Sequence, residues 1–287
     1  MIFHAPVLLQ EVIKFLSPAP GKSYIDATIG GGGHTFALLK QGVRVLGIDR
    51  DPDAIEHIKD KWKIGKELIL ARANFNKIGE IARSNGASQI DGILFDLGVS
   101  SYQLEKADRG FSFQKKGPLD MRMDPDLEVT AADIINNFDE RRLYEIFKTY
   151  GQEKFSRSIA RAICSARQIE SINSTVRLAK IIEDAKPRGA YEKIHPATRA
   201  FQALRIVVNS ELLNLEEALP QTTNLLARGG RLVIISFHSL EDALVKRFLK
   251  QEEKLLVLTK KPIGPNRQEV LANPRARSAK LRVAERI

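Results

Sequence analysis

The chain has 287 residues, 43% of them hydrophobic, and carries a formal net charge of +10. At ~100–200 residues per domain this length allows one large domain or two, with the apolar share of a globular protein that has a real core. The single cysteine, Cys164, excludes an internal disulfide, and no apolar run approaches the ~20 residues a membrane-spanning helix needs.

A basic balance of this size favours a polyanionic partner, although composition alone accounts for it equally well as a soluble basic surface. Cys164 shares an apolar helical face with Ile159 and Ile163, which points to packing rather than nucleophilic chemistry. The lone cysteine suits a reducing compartment, and the N-terminus lacks a charged region and a long apolar core, so the expected location is the cytoplasm.

In chain order, Tyr24–Thr28, Val43–Asp49, Leu68–Asn74 and Ile90–Leu97 read as strands, three of them as continuous apolar runs suited to burial on both faces of a parallel sheet. Helix patterns alternate with them: His34–Gln41; Asp53–Trp62, with Asp51 as N-cap and Pro52 at the first helical position; and Lys77–Ser84, with Asn76 as cap. This alternation predicts a doubly wound α/β sheet. From Gly98 to Gly230 the strand signal stops, and helices are expected over Arg141–Tyr150, Phe155–Arg167, Thr175–Ala185 and one long amphipathic stretch, Thr198–Leu219. Strand logic resumes at Arg231–Phe237, with a helix over Ser239–Gln251 and strands over Lys254–Lys260 and Ser278–Ile287. Seven strands thus bracket a helical block that reads as an insertion between strands four and five.

The first strand breaks into Gly30-Gly31-Gly32-Gly33-His34 before a helix begins. Glycine tolerates positive φ and has no Cβ to block a ligand, and the helix start offers N–H groups, so this is a nucleotide-type cofactor loop. The dinucleotide fingerprint fails, because Thr35 stands where its third glycine belongs, and no Gly-Lys pair completes a phosphate loop. Asp49, ending the second strand, can accept both hydroxyls of a ribose, a feature shared by dinucleotides and S-adenosylmethionine. Phe75, after the third strand, could cover an adenine face, although periodicity alone assigns it to the core. Asp96 places a carboxylate at the C-terminal end of the fourth buried strand, the sheet edge where ligands bind and where methyltransferases acting on exocyclic amines carry polar acceptors. A terminal strand pair with one antiparallel member is also a methyltransferase habit.

Several motifs run the length of the chain. They are His4-x-Pro6-Val7-Leu8-Leu9, Asp26-x-Thr28-x-Gly30-x-Gly32-Gly33-His34, Gly47-Ile48-Asp49-Arg50-Asp51, Asp96-Leu97-Gly98-Val99-Ser100-Ser101-x-Gln103-Leu104 and Arg109-Gly110-Phe111-Ser112-Phe113. Pro118-Leu119-Asp120-Met121-Arg122-Met123, His195-Pro196-Ala197-Thr198-Arg199, Ser236-Phe237-His238-Ser239-Leu240-Glu241-Asp242 and Asn273-Pro274-Arg275-Ala276-Arg277-Ser278-Ala279-Lys280-Leu281-Arg282 follow. Together and in this order they closely resemble the MraW/RsmH family of bacterial small-subunit rRNA cytosine-N4 methyltransferases. Ala27 stands where that family often has Gly, and Glu105 where it often has Asp; neither alters a ligand contact chemically.

The resemblance implies a seven-stranded, Rossmann-like class I methyltransferase sheet with an all-helical domain inserted between strands four and five. The expected division is a cofactor domain of 1–104 plus 206–287 and a substrate-recognition domain of 105–205. It implies S-adenosylmethionine as cofactor, contacted by Gly32, Gly33, His34, Asp49, Phe75, Asp96 and Gln103. It also implies methyl transfer to the N4 of a cytosine in 16S rRNA near the decoding centre, and hence a role in rRNA processing. Asp96, Ser100 and Ser101 are placed to accept hydrogens of the amine, and His238, after strand five, is a candidate proton acceptor or a hydrogen-bonded structural histidine. Arg199, Arg205, Arg275, Arg277, Lys280 and Arg282 are candidate phosphate contacts, and His195 either binds substrate or caps the turn at Pro196. The histidines show no metal-ligand spacing, so no metal is expected. Competing readings are a DNA amino-methyltransferase, disfavoured because no proline pair follows Asp96; a cofactor-binding ribosome assembly factor without catalysis; and a nicotinamide oxidoreductase. The sequence leaves monomer and homodimer open.

Overall fold

The computed structural model describes residues 6–62, 64–187 and 194–287; His4 of the first motif and Lys193, just before His195, lie outside them. In chain order the elements are α1 (Leu9–Leu16), β1 (Ser23–Asp26), α2 (Gly33–Leu39), β2 (Arg44–Asp49), α3 (Pro52–Lys61), β3 (Leu68–Arg72), α4 (Ile78–Ser84), β4 (Ile90–Asp96) and α5 (Ser101–Glu105). Then come α6 (Ala131–Asn137), α7 (Glu140–Thr149), α8 (Ser156–Ile169), α9 (Thr175–Asp184), α10 (Thr198–Val208), α11 (Glu211–Leu225), β5 (Leu226–Ser236), α12 (Ser239–Gln251), β6 (Leu255–Val257), α13 (Arg267–Ala272) and β7 (Lys280–Arg286). The chain forms two compact units, one of residues 1–100 with 212–287 and the other of 101–211.

In the first unit the seven strands form one sheet, ordered β3-β2-β1-β4-β5-β7-β6. Neighbours from β3 through β5 are parallel, and β7 runs antiparallel to both β5 and β6. This is the Rossmann-like class I methyltransferase order that the resemblance implies. The continuous apolar runs have a physical reason in the pleat, which sends alternate side chains to opposite faces. Ile25, Leu46, Ile48, Ile93, Phe95, Leu232 and Ile234 enter one buried cluster with Leu215 and Leu219 of α11 and Val245 of α12. Their neighbours Tyr24, Val45, Leu94, Val233 and Ile235 enter the other, against Val12 and Leu16 of α1 and Ile58 of α3. A strand buried on both faces leaves no polar positions to alternate.

The second unit is helical. Buried residues at helical spacing, Leu143, Ile146 and Phe147 on α7, Ile159 and Ile163 on α8, and Leu178 and Ile182 on α9, supply its core. The irregular segment before α6 is held by arginines. Arg122 grips Asp120 through Nε and Nη2, each 2.8 Å from a carboxylate oxygen, and also donates to the carbonyls of Pro125 and Leu127. Arg109 donates to the carbonyls of Arg122 and Met123. Further along, Lys186 and Glu153 form an ion pair at 2.8 Å with side chains only 4% and 0% exposed, and Lys186 Nζ also donates to the Pro196 carbonyl.

Four local expectations are corrected. The stretch Thr198–Leu219 is two helices, not one: Ser210 takes a left-handed φ of 49°, and the Asn209 side chain bonds Met121 and Met123, terminating α10. The cap before α4 is Asn74, whose side chain accepts from the Asn76 N–H at a short 3-10 turn. Strand β5 starts five residues earlier than Arg231, through a register irregularity opposite Ile90 and Gly92. Strand β6 keeps only three residues of the seven expected. The Asp51 cap of α3 is as expected, its side chain accepting from the Asp53 N–H.

Candidate active site

The strand order sets β2, β1 and β4 side by side, so their C-terminal ends bring Asp49, the glycine run and Asp96 to one edge. The run leaves β1 through Asp26, which is 1% exposed. Its carboxylate accepts from Thr35 Oγ1 at 2.7 Å and from the Thr28 N–H at 3.2 Å, tying the first turn of α2 to the strand. Burial raises its pKa against these hydrogen bonds. Thr28 in turn accepts from the Asp96 backbone N–H at 2.6 Å, so one hydroxyl fixes the end of β4 relative to the loop. In the sequence Asp26 and Thr28 stand out only as part of their motif; an acid and a hydroxyl spaced around a turn are too common to read alone.

Gly32 is the N-cap of α2 with φ 77°. A Cβ there would stand 2.5 Å from Ile58 Cδ1 and 2.7 Å from the Phe36 ring, so any larger residue must displace both side chains and hold a left-handed φ. Gly33 lies under the Pro6 ring, where a Cβ would approach to 3.0 Å. His34, next in α2, is buried, and its Nε2 stands 3.5 Å from Asp96 Oδ2. Neither ring nitrogen of His34 nor Asp96 Oδ1 has a hydrogen-bond partner, although all are buried. Unmet polar atoms at such depth are costly, and a bound ligand or water would offset that cost.

Asp49 accepts from the Gly30 N–H and the Asp51 N–H, each at 2.9 Å. Burial pushes its pKa up to about 6, opposed by those two donors and by Arg50, while Asp51 adds to the rise. Phe75 packs edge-on against Phe95, with ring centroids 5.5 Å apart. It is only partly buried on that cluster. The first unit therefore gathers Gly32, Gly33, His34, Asp49, Phe75 and Asp96 around one sheet edge, with Ser100 in the loop beyond β4. Gln103 is buried on α5 of the second unit.

His238 sits after β5 as the N-cap of α12. Its Nδ1 accepts from the Glu241 N–H at 3.3 Å, and its Nε2 lies 3.2 Å from Glu241 Oε1. The Glu241 carboxylate closes the box by accepting from the Phe237 and His238 N–H groups. The imidazole thus caps the helix through Nδ1, while Nε2 is buried without a hydrogen-bond partner.

Among the basic candidates, two are withdrawn from the role of open phosphate contact. Arg205 is bound through Nε and Nη2 to Glu211 at 2.8 and 2.9 Å, largely buried. Arg282 is 8% exposed in its side chain and held to Asp242 at 2.7 Å, a carboxylate whose hydrogen bonds from Arg282 and Lys280 carry its pKa below the usual range despite its burial. Both cations are neutralised by carboxylates, which a sequence position cannot reveal. Lys280 reaches the same Asp242 at 3.3 Å but stays half-exposed. Arg275 and Arg277 are exposed on the turn before β7. Arg199 donates to the Gln152 carbonyl. His195 stacks on Phe113 at 4.4 Å, accepts from the Ala197 N–H, and stands 3.1 Å from Glu183, so it does close the turn at Pro196.

Relatives and architecture agree. A protein described as ribosomal RNA small subunit methyltransferase H in Deinococcus radiodurans is 50% identical over 283 residues, covering 99% of this chain and 89% of that one. One of the same description in Carboxydothermus hydrogenoformans is 45% identical over 304 residues, covering 99% and 98%. The sequence model of one family matches residues 1–287 from end to end. With the sheet order, the glycine loop and the paired aspartates already in place, this match makes the chain a member of the MraW methylase family.

Proposed function

We propose that the protein transfers a methyl group from S-adenosylmethionine to the exocyclic N4 of a cytosine in 16S rRNA, near the decoding centre of the small ribosomal subunit. The observation that carries the reading is the convergence of Asp49, the Gly30–Gly33 loop and the unpartnered Asp96 and His34 atoms at one sheet edge. Those residues suit a nucleoside cofactor. Asp49 would accept its ribose hydroxyls, Gly32 and Gly33 would let the backbone approach it, and Phe75 would border its base. Gln103 joins them on the strength of its motif. When bound, S-adenosylmethionine supplies an electrophilic methyl group.

The chain's own contribution is placement and proton handling. A cytosine N4 lone pair is conjugated into the ring, so the amine is a weak nucleophile. Holding it in line with the methyl donor is worth up to ~7–11 kcal/mol in ideal cases. Asp96, partly buried with its Oδ1 buried and unpartnered, would accept an N4 hydrogen and so orient the amine, with Ser100, four residues on, as a further acceptor. His238 spends Nδ1 on its helix cap, while its buried Nε2 has no hydrogen-bond partner, so it stays alongside Asp96 as a candidate for that part. The base must be presented unpaired, and the second unit, 101–211, is the candidate substrate-recognition domain.

The test is methyl transfer from labelled S-adenosylmethionine to small-subunit rRNA, naked and assembled, followed by mass-spectrometric mapping of the modified nucleoside. N4-methylcytidine at one position is the expected product. No transfer to either form would leave a catalytically silent assembly factor as the reading, and a ring-carbon or ribose product would overturn the N4 assignment.

A further inference from the structure

The solvent face of α7, joined by α8, carries an aromatic ring in contact with two cations. Helix α7 buries Leu143, Ile146 and Phe147, which turns Tyr144 and Lys148, one turn apart, outward. Lys148 Nζ lies 5.3 Å from the centroid of the Tyr144 ring, and the Arg157 guanidinium, from α8, lies 5.4 Å from it. These cation–π contacts place both positive groups on one aromatic surface.

The cations around this cluster are not alike. Arg141 pairs with Glu145, Arg142 with Asp139 and Arg161 with Glu140. Among the described residues neither Lys148 nor Arg157 has a carboxylate within ion-pair distance. Both are exposed, and the Tyr144 hydroxyl has its pKa lowered chiefly by a hydrogen bond from Lys148 and further by Arg157. Uncompensated positive charge is thus focused beside an aromatic face, while neighbouring charges cancel. Single-stranded nucleic acid offers the complement of both features: phosphates for the cations and a base to stack on the ring.

We propose that Tyr144, Lys148 and Arg157 form a docking surface for single-stranded RNA on the second unit, separate from the residues that handle the methyl group. The identity of that RNA rests on the reading of rRNA as substrate. The surface sets affinity and not chemistry.

The test uses the full chain with the paired substitution Lys148→Glu and Arg157→Glu, together with Tyr144→Ala and Tyr144→Phe, each checked for wild-type circular dichroism. Binding to small-subunit rRNA is measured by filter retention over a salt series, and methyl transfer is measured in parallel. The charge reversal is expected to weaken RNA binding by about tenfold or more and to raise KM, with kcat within twofold of wild type. The slope of log affinity against log salt should become shallower by about 1.4, two phosphate contacts at roughly 0.7 each. Tyr144→Ala should weaken binding, and Tyr144→Phe, which keeps the ring, should restore it.

Unchanged affinity and salt slope in the charge-reversed protein would overturn the proposal, as would a loss confined to kcat. Weakened binding to the assembled subunit but not to naked rRNA would also overturn it, since the partner would then be a ribosomal protein. The two readings fail separately: wild-type protein that binds rRNA through this surface but methylates none of it keeps the surface and loses the activity, whereas charge-reversed protein that methylates with wild-type KM, affinity and salt slope keeps the activity and loses the surface.

Discussion

Asp49 gives the sharpest test of the cofactor site, because its own energetics oppose the state the cofactor needs. Burial pushes its carboxyl up to about 6 in the folded chain, well above the ordinary carboxylate value of ~3.9. Between those values the folded state binds more protons than the unfolded state, so stability falls as pH rises through that window. A difference of about two pH units corresponds to ~3 kcal/mol, the order of the cost of holding Asp49 ionised at neutral pH. Ribose hydroxyls donate to a carboxylate, not to a protonated carboxyl, so binding favours ionisation and offsets part of that cost. The dissociation constant for S-adenosylhomocysteine should therefore be flat above pH 7 and about tenfold weaker by pH 5, following the ionised fraction of a group titrating near 6. Asp26 also has a raised pKa, but its oxygens are taken by Thr35 and Thr28, so it does not compete for this role. Calorimetry from pH 5 to pH 8 reads the effect directly. Asp49→Asn should bind more weakly at pH 7.5 and lose the pH dependence. An affinity that ignores pH in the wild type, or the same dependence surviving in Asp49→Asn, would refute the reasoning.

Other perturbations separate structural from chemical roles. Gly32→Ala forces a Cβ into Ile58 and Phe36 at a positive φ, so urea denaturation should show a loss of about 2 kcal/mol or more, with S-adenosylhomocysteine binding abolished. Lys186→Met leaves the fully buried Glu153 without its partner and should cost ~3–5 kcal/mol in the same assay, much of it recovered when Glu153→Leu is added; no recovery would mean the pair's remaining contacts matter more than its charges. His238→Ala removes the α12 cap and should cost ~1 kcal/mol, while His238→Asn supplies a cap acceptor and should restore stability and methyl transfer alike. A stable His238→Asn protein with methyl transfer reduced a hundredfold would instead make the imidazole a proton acceptor.

The parts of this protein legible in its sequence are those where a local pattern has one physical solution. The Ile93–Leu94–Phe95 core of β4 is buried on both faces, so it reads as an apolar run wherever it lies in the sheet. The glycine loop is equally plain, because Gly32 holds a left-handed φ in a space that a side chain would crowd. Asp49 and Asp96 followed from their places at strand ends. What tertiary structure alone decided is pairing. The amphipathic pattern continues unbroken from Leu204 to Leu215, so only the bonds of Asn209 to residues far away in sequence reveal that the helix ends there. Arg205 and Arg282 read as open cations until Glu211 and Asp242 are seen to hold them. Lys148 and Arg157 read as ordinary surface charge until both are found on the Tyr144 ring. A residue's type and spacing fix which face of an element it takes, but a charge or a polar group acquires its role from the partner the fold brings to it, and that partner is set by contacts between distant segments.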